Sequence, residues 1–121
     1  MCARTRILLV NDDDDALFLL GRSVRRALPE ADVALLRDAP TALAYCQQHH
    51  IDALVTDNTM PHMDGLTLVR AVRQRDRTLP IVMVTNSTHL SQQATEAGVT
   101  AYLPSARWSD VGTTLAALLQ A

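Results

Sequence analysis

Five short runs rich in β-forming, mostly apolar residues alternate along this chain with five stretches of helical period, and that alternation leaves few folds open. The runs are Arg6–Val10, Ala31–Leu36, Ile51–Thr56, Pro80–Thr85 and Thr100–Leu103. The clearest of them are apolar end to end, the pattern of strands covered on both faces. Parallel strands need long crossover connections, which the intervening helices supply. The expected fold is therefore α/β, a doubly wound five-stranded parallel sheet with five helices, within one domain spanning residues 1–121.

Each connecting stretch carries its own start and stop. After Asn11-Asp12-Asp13-Asp14-Asp15, residues Leu17, Leu20, Val24, Ala27 and Leu28 recur at helical spacing. Asp13 or Asp14 suits the N-cap, acids suit the first turn, and Pro29 ends the helix. Asp38-Ala39-Pro40 opens the second helix, with Ala39, Leu43 and Cys46 facing inward. Asp64 caps the third, where Leu66, Val69 and Val72 form the buried stripe and Arg70, Arg73, Arg75 and Arg77 the wet side. The fourth is expected over Thr88–Ala97, closed by Gly98, and the fifth over Asp110–Leu119.

Composition excludes more than it assigns. A net charge of −2 gives no basic nucleic-acid surface, and no apolar stretch approaches membrane-spanning length. With no export signal, Cys2 and Cys46 read as reduced thiols of a cytoplasmic protein. Aromatics make up only 3% of the chain, so its core must be aliphatic. All 11 basic residues are arginines. His49, His50, His62 and His89 lack metal-ligand spacing.

A parallel sheet brings the carboxyl ends of its strands to one edge, where such folds place their chemistry. That edge should gather Asn11, Asp12 and Asp13, then Asp57, Thr85 and Ser105. Converging carboxylates repel, and a hard divalent cation relieves them; Mg²⁺ is the natural candidate, since it accepts a few oxygens and keeps waters to receive a phosphoryl oxygen. Neither a G-x-x-x-x-G-K-[ST] loop nor a G-x-G-x-x-G turn is present. Phosphate chemistry here would rest on metal and on a carboxylate, which can itself be a nucleophile.

The order strand–acids–helix, then Thr56-Asp57-x-x-Met60-Pro61-x-Met63-Asp64-Gly65, then a strand ending at Thr85, then Tyr102-Leu103-Pro104, resembles the receiver domain of two-component response regulators. The resemblance covers essentially the whole chain and implies a flavodoxin-like architecture. It implies that Asp57 accepts a phosphoryl group from a histidine kinase, phosphotransfer protein or small acyl phosphate. Asp12 would ligate Mg²⁺ directly, with Asp57 and the backbone carbonyl of Thr59, and Asn11 through a water. Thr85 would be the switch hydroxyl and Tyr102 the aromatic that turns inward, remodelling the face of helix 4, strand 5 and helix 5 toward a downstream effector. No direct nucleic-acid or membrane partner is implied.

Against that family pattern, three departures fall on the chemistry. Asn11 stands where a second acid is usual, and a unit charge lost ~4 Å from a divalent ion costs several kcal/mol at an effective dielectric near 20, before solvent screening. Ser105 stands where a lysine is usual. Ala106 stands where a proline follows it, so a trans peptide bond is expected. Arg107 lies two residues beyond Ser105 and in an extended segment would point to the same side, a candidate surrogate cation. Two readings stay open: a receiver phosphorylated at Asp57, and a degenerate receiver that binds partners regardless of phosphorylation. A phosphatase would want an acid two residues after Asp57, and Thr59 stands there, so chemistry is expected to stop at phosphorylation and dephosphorylation of Asp57 itself.

Overall fold

A computed structural model describes residues 4–87 and 89–120. Cys2, and Thr88 at the expected start of the fourth helix, lie outside the described residues. The elements are β1 (Arg6–Val10), α1 (Asp14–Ala27), β2 (Asp32–Leu36), α2 (Ala39–Gln48), β3 (Ala53–Thr56), α3 (Gly65–Arg73), β4 (Ile81–Thr85), α4 (Ser91–Ala97), β5 (Ala101–Pro104) and α5 (Val111–Gln120). The five strands are all parallel in the order β2-β1-β3-β4-β5. The expected doubly wound sheet with its five helices is what forms.

The strands that read as covered on both faces are so. Ile7 to Val10, Ala53 to Val55 and Ile81 to Met83 are fully buried. Alternation splits their side chains between two cores. Leu8, Val10, Leu54, Ile81 and Met83 pack with α2, α3 and α4. Ile7, Leu9, Ala53, Val55, Val82, Val84 and Leu103 pack with Leu17, Leu20 and Val24 of α1 and Val111 and Leu115 of α5.

Helix starts follow local chemistry. Asp13, Asp38 and Asp64 each cap α1, α2 and α3, accepting from the amides of Asp15, Thr41 and Thr67. Helix α4 begins only at Ser91, with no side-chain cap, and ends at Gly98 with φ of 107°. Arg73 departs from the wet face read from its spacing. It is half-buried, its Nε donating to the Gly98 carbonyl at 2.9 Å and its guanidinium reaching Thr100 Oγ1 at 3.3 Å. The left-handed turn at Gly98 brings that carbonyl within its reach, so Arg73 ties α3 to the end of α4 and the approach to β5.

Between β5 and α5 lies an unexpected 3₁₀ segment, Ser105–Asp110. No cis peptide bond occurs among the described residues, as expected for Ser105-Ala106. The extended path assumed for Ser105 to Arg107 is not present. The chain instead coils, so residues two apart no longer share a side.

One joint locks this segment to α1. Ser23 Oγ donates to the Ser109 carbonyl at 3.0 Å and accepts from the Gly112 amide at 2.9 Å. A Cβ on Gly112 would lie 2.1 Å from the Ser23 carbonyl oxygen. Gly112→Ala is expected to push α5 off α1 and destabilise the fold by about 1–3 kcal/mol, measured by urea unfolding. An unchanged midpoint would show that the joint is slack.

Candidate functional site

The parallel register brings β1, β3 and β4 to a common edge. Val10 is level with Thr56 and Thr85 with Pro104, so Asn11, Asp57, Thr85 and Ser105 stand near that edge. Leu9, Val55 and Leu103, two residues before Asn11, Asp57 and Ser105, face the α1/α5 side, and Asn11 and Ser105 line one cleft there with Leu20 and Trp108.

Asp57 is half-buried there. Its Oδ1 accepts from the Asn58 amide at 2.7 Å. Burial pushes its carboxyl above the usual range. The Thr85 hydroxyl and the amides of Asn58 and Thr59 favour the charge and pull the other way, while the neighbouring charge of Asp12 adds to the upward push. Asp12 itself is exposed. Two carboxylates therefore face one another with incomplete compensation.

The loop after β3 is sprung over the core. Met60 and Met63 pack against the α2/α3/α4 core while Pro61 and His62 stay in solvent. The Met63 amide donates to the Pro61 carbonyl at 2.8 Å around His62, whose φ is 72°. A three-residue turn with a positive central φ is strained for a residue with a side chain. Gly65 closes the loop. Its amide donates to the Asn58 carbonyl at 2.9 Å, and a Cβ there would lie 2.1 Å from the Asp57 carbonyl oxygen. Asn58 also accepts from the Leu66 amide at 3.1 Å through Oδ1, tying Asp57 to the start of α3. Asn58 belongs to no motif, and its position between a strand end and a helix start is the signal that the sequence carries for this role.

Thr85 is buried; its hydroxyl donates toward the Asp57 carboxylate and accepts from the Ser87 amide at 3.3 Å. Tyr102 is half-buried against the α2/α3/α4 core, and its hydroxyl donates to the Ser87 carbonyl. Thr85 and Tyr102 thus hold the same short connection from two sides. Asn11 is only 7% exposed, and its Oδ1 accepts from the Asp13 amide at 2.9 Å. Arg107 Nε instead pairs with Asp110 Oδ2 at 2.8 Å. Its guanidinium is engaged along the 3₁₀ segment, a geometry that the extended reading did not anticipate. Cys46 is half-buried with its thiol pushed up by burial, away from reactivity.

A strand-end carboxylate flanked by an acid, a hydroxyl and a Gly-closed loop on a 2-1-3-4-5 sheet is the arrangement of a receiver module. Residues 7–105 match the family model for the response regulator receiver domain, and the chain belongs to that family, the receiver modules of two-component signalling. It is 36% identical over 100 residues to the chemotaxis protein CheY of Pseudomonas aeruginosa, covering 79% of this chain and 81% of that one. It is 34% identical over 100 residues to the transcriptional regulatory protein PrrA of Mycobacterium tuberculosis, covering 81% of this chain but only 42% of that one. A putative response regulator from Chloroflexus aurantiacus superposes with a TM-score of 0.88 at 28% identity, covering 98% of this chain and all of that one. Among the described residues no helix is long and apolar enough to cross a membrane.

The raised pKa of Asp57 has a consequence for stability. The folded state holds this proton more tightly than the unfolded chain, so the contribution is full at low pH and is lost as pH rises through the raised value. Asp57→Asn keeps the acceptor for the Asn58 amide and removes the charge. In EDTA it is expected to raise the melting temperature at neutral pH, with the gain vanishing below the ordinary carboxylate range. A variant no more stable than the parent at neutral pH would contradict the electrostatic account.

Proposed function

We propose that this receiver is phosphorylated on Asp57 and signals through the β4–α4 connection and the face of α4, β5 and α5. The observation that carries this is the carboxylate's setting: half-buried, with the Thr85 hydroxyl and two loop amides favouring its charge. A carboxylate oxygen of Asp57 attacks the phosphorus of a phosphohistidine or a small acyl phosphate. The new O–P bond forms as the P–N or P–O bond to the leaving group breaks, and the product is an aspartyl phosphate. Thr85 then donates to a phosphoryl oxygen rather than to the carboxylate. Since Thr85 and Tyr102 both hold Ser87, that change reaches the surface through Tyr102.

The donor set suits Mg²⁺. Asp12 and Asp57 repel one another, and with the Thr59 carbonyl, and Asn11 through a water, they would supply the few oxygens that this ion takes while keeping its own waters. When bound, it neutralises charge on the transferring phosphoryl group. The site is an atypical variant: Asn11 and Ser105 bring no charge, and Arg107 would have to leave Asp110 to act as a surrogate cation. Mg²⁺ binding and phosphoryl retention are therefore weaker than with two further charges in place. The partners that follow are a histidine kinase or phosphotransfer protein upstream and a protein effector downstream, in the cytoplasm, with no direct nucleic-acid or membrane contact. Activity beyond turnover of Asp57 phosphate is not expected.

The same missing charges favour a second reading, a receiver that binds its partner without phosphorylation. Acetyl phosphate followed by mass measurement, and beryllofluoride with Mg²⁺ followed through Trp108, separate the two. An adduct of one phosphoryl group that Asp57→Ala abolishes is expected, and Thr85→Ala should weaken beryllofluoride about tenfold. Arg107→Ala should lower affinity only if Arg107 leaves Asp110. No Asp57-dependent adduct or emission change would leave the interaction-only reading standing.

A further inference from the structure

Strand β2 is an edge of the sheet, with β1 on one side and no strand on the other among the described residues. The Asp32 amide donates to the Thr5 carbonyl at 2.8 Å, and the Leu36 carbonyl accepts from the Asn11 amide at 3.1 Å. Asp32, Ala34 and Leu36 therefore direct their backbone groups to β1, and alternation turns those of Val33 and Leu35 outward. Sheet edges are ordinarily blunted by a charge, a proline or a bulge. Val33-Ala34-Leu35-Leu36 has neither charge nor proline, and its pairing with β1 runs without a bulge from Asp32 to Leu36.

Helix α1 extends this edge rather than shielding it. Asp14, Phe18, Gly21 and Arg25 follow one another at i, i+4, i+7 and i+11, a single stripe of the helix. That stripe overlooks β2: Asp14 pairs with Arg37 at 3.0 Å, and a Cβ on Gly21 would lie 3.9 Å from Leu35 Cδ2. Phe18 and Leu35 are the two exposed large hydrophobic residues among the described ones, at 62% and 40%. Both stand beside the outward amides and carbonyls of β2.

We propose that β2 pairs antiparallel with the β2 of a second copy, about a two-fold axis at Ala34, joining two five-stranded sheets into one. The strand is complementary to itself in this register. Ala34 is the middle residue of Asp32–Leu36, so an axis there pairs the whole strand. The outward groups of Val33 meet those of the partner's Leu35, and the same exchange is repeated across the axis. Val33 and Leu35 also share the α1 side of the sheet, so each exchange sets one apolar side chain against another. Ala34 faces its own copy in the close, non-hydrogen-bonded position, where Cα atoms are ~4.5 Å apart and a small side chain fits. An axis at Leu35 would instead set Val33 against the partner's Arg37.

Charge does not oppose the pairing. Each end of the strand carries one acid and one arginine, Arg4 with Asp32 and Arg37 with Asp14, so neither end repels the other. The axis uses up the β2 edge of both copies, which closes the assembly at two. Strand β5 lies at the far edge, so both copies keep their α4–β5–α5 face free, and Asp57 takes no part. A seam this short belongs to the small interfaces, and the dimer is expected to exchange with monomer in the micromolar range.

Sedimentation of the whole chain across that range is the test, with circular dichroism used to establish that each variant folds. A monomer–dimer equilibrium is expected, weakened roughly tenfold by Leu35→Lys or by Val33→Glu alone. Because Val33 faces the partner's Leu35, mixing those two variants should restore the affinity as a heterodimer. In a background of Cys2→Ser and Cys46→Ala, Ala34→Cys should be oxidised by diamide to a disulfide-linked dimer, since the facing Cα spacing suits that bond. Leu35→Cys in the same background should crosslink far less. A chain that stays monomeric throughout would overturn the proposal and leave the edge to a different occupant. A dimer indifferent to Leu35→Lys would put the contact on another face and overturn it too. Loss in both charged variants with no recovery on mixing would rule out the antiparallel register.

Discussion

A half-buried carboxylate, only partly compensated, at the edge of a parallel sheet is the constraint on which the rest of this structure depends. Asp57 sits half-buried where the β1, β3 and β4 ends converge, and both burial and the charge of Asp12 oppose its ionisation. What holds the carboxylate there is the loop behind it, closed by Gly65 against the Asp57 carbonyl and tied to α3 through Asn58. A site in this condition favours whatever spreads or neutralises its charge, be it a divalent cation or a hydroxyl such as Thr85.

The β4–α4 connection is held from two sides. Thr85 and Tyr102 both engage Ser87, one through its amide and one through its carbonyl, so neither moves without altering the β4–α4 connection. Helix α4 is brief and starts without a side-chain cap, which makes its N-terminal end the easier part to move. Its other end is held: Arg73 grips the Gly98 carbonyl and Thr100, joining α3, α4 and β5. On the opposite side, Ser23 and Gly112 lock α5 to α1, so the α4–β5–α5 face is bounded by one firm joint on each flank.

Much of this was legible from residue order. Apolar runs with both faces buried, the capping aspartates Asp13, Asp38 and Asp64, and the Met60–Gly65 loop all express local chemistry that the chain carries wherever it folds. Three features were not. Arg107 reads as free in an extended segment, but the chain coils after β5 and the guanidinium finds Asp110. Arg73 reads as one of four wet arginines, yet a left-handed turn 25 residues away supplies its acceptor. Asn58 reads as filler and is the link between Asp57 and α3. In each case the partner is chosen by backbone geometry that no periodicity encodes.

By itself, the sequence determined the alternation of strand and helix, the edge on which the acids would meet, and the absence of any lysine to answer them. Those follow from side-chain polarity and period, which are local. Only the tertiary structure decided how that charge is met. It set Asn11 and Ser105 on one cleft with Leu19, Leu20 and Trp108, and it committed Arg107 elsewhere. Strand order and the path of the 3₁₀ segment control those distances, and both arise from packing across the whole sheet rather than from any neighbour in the chain.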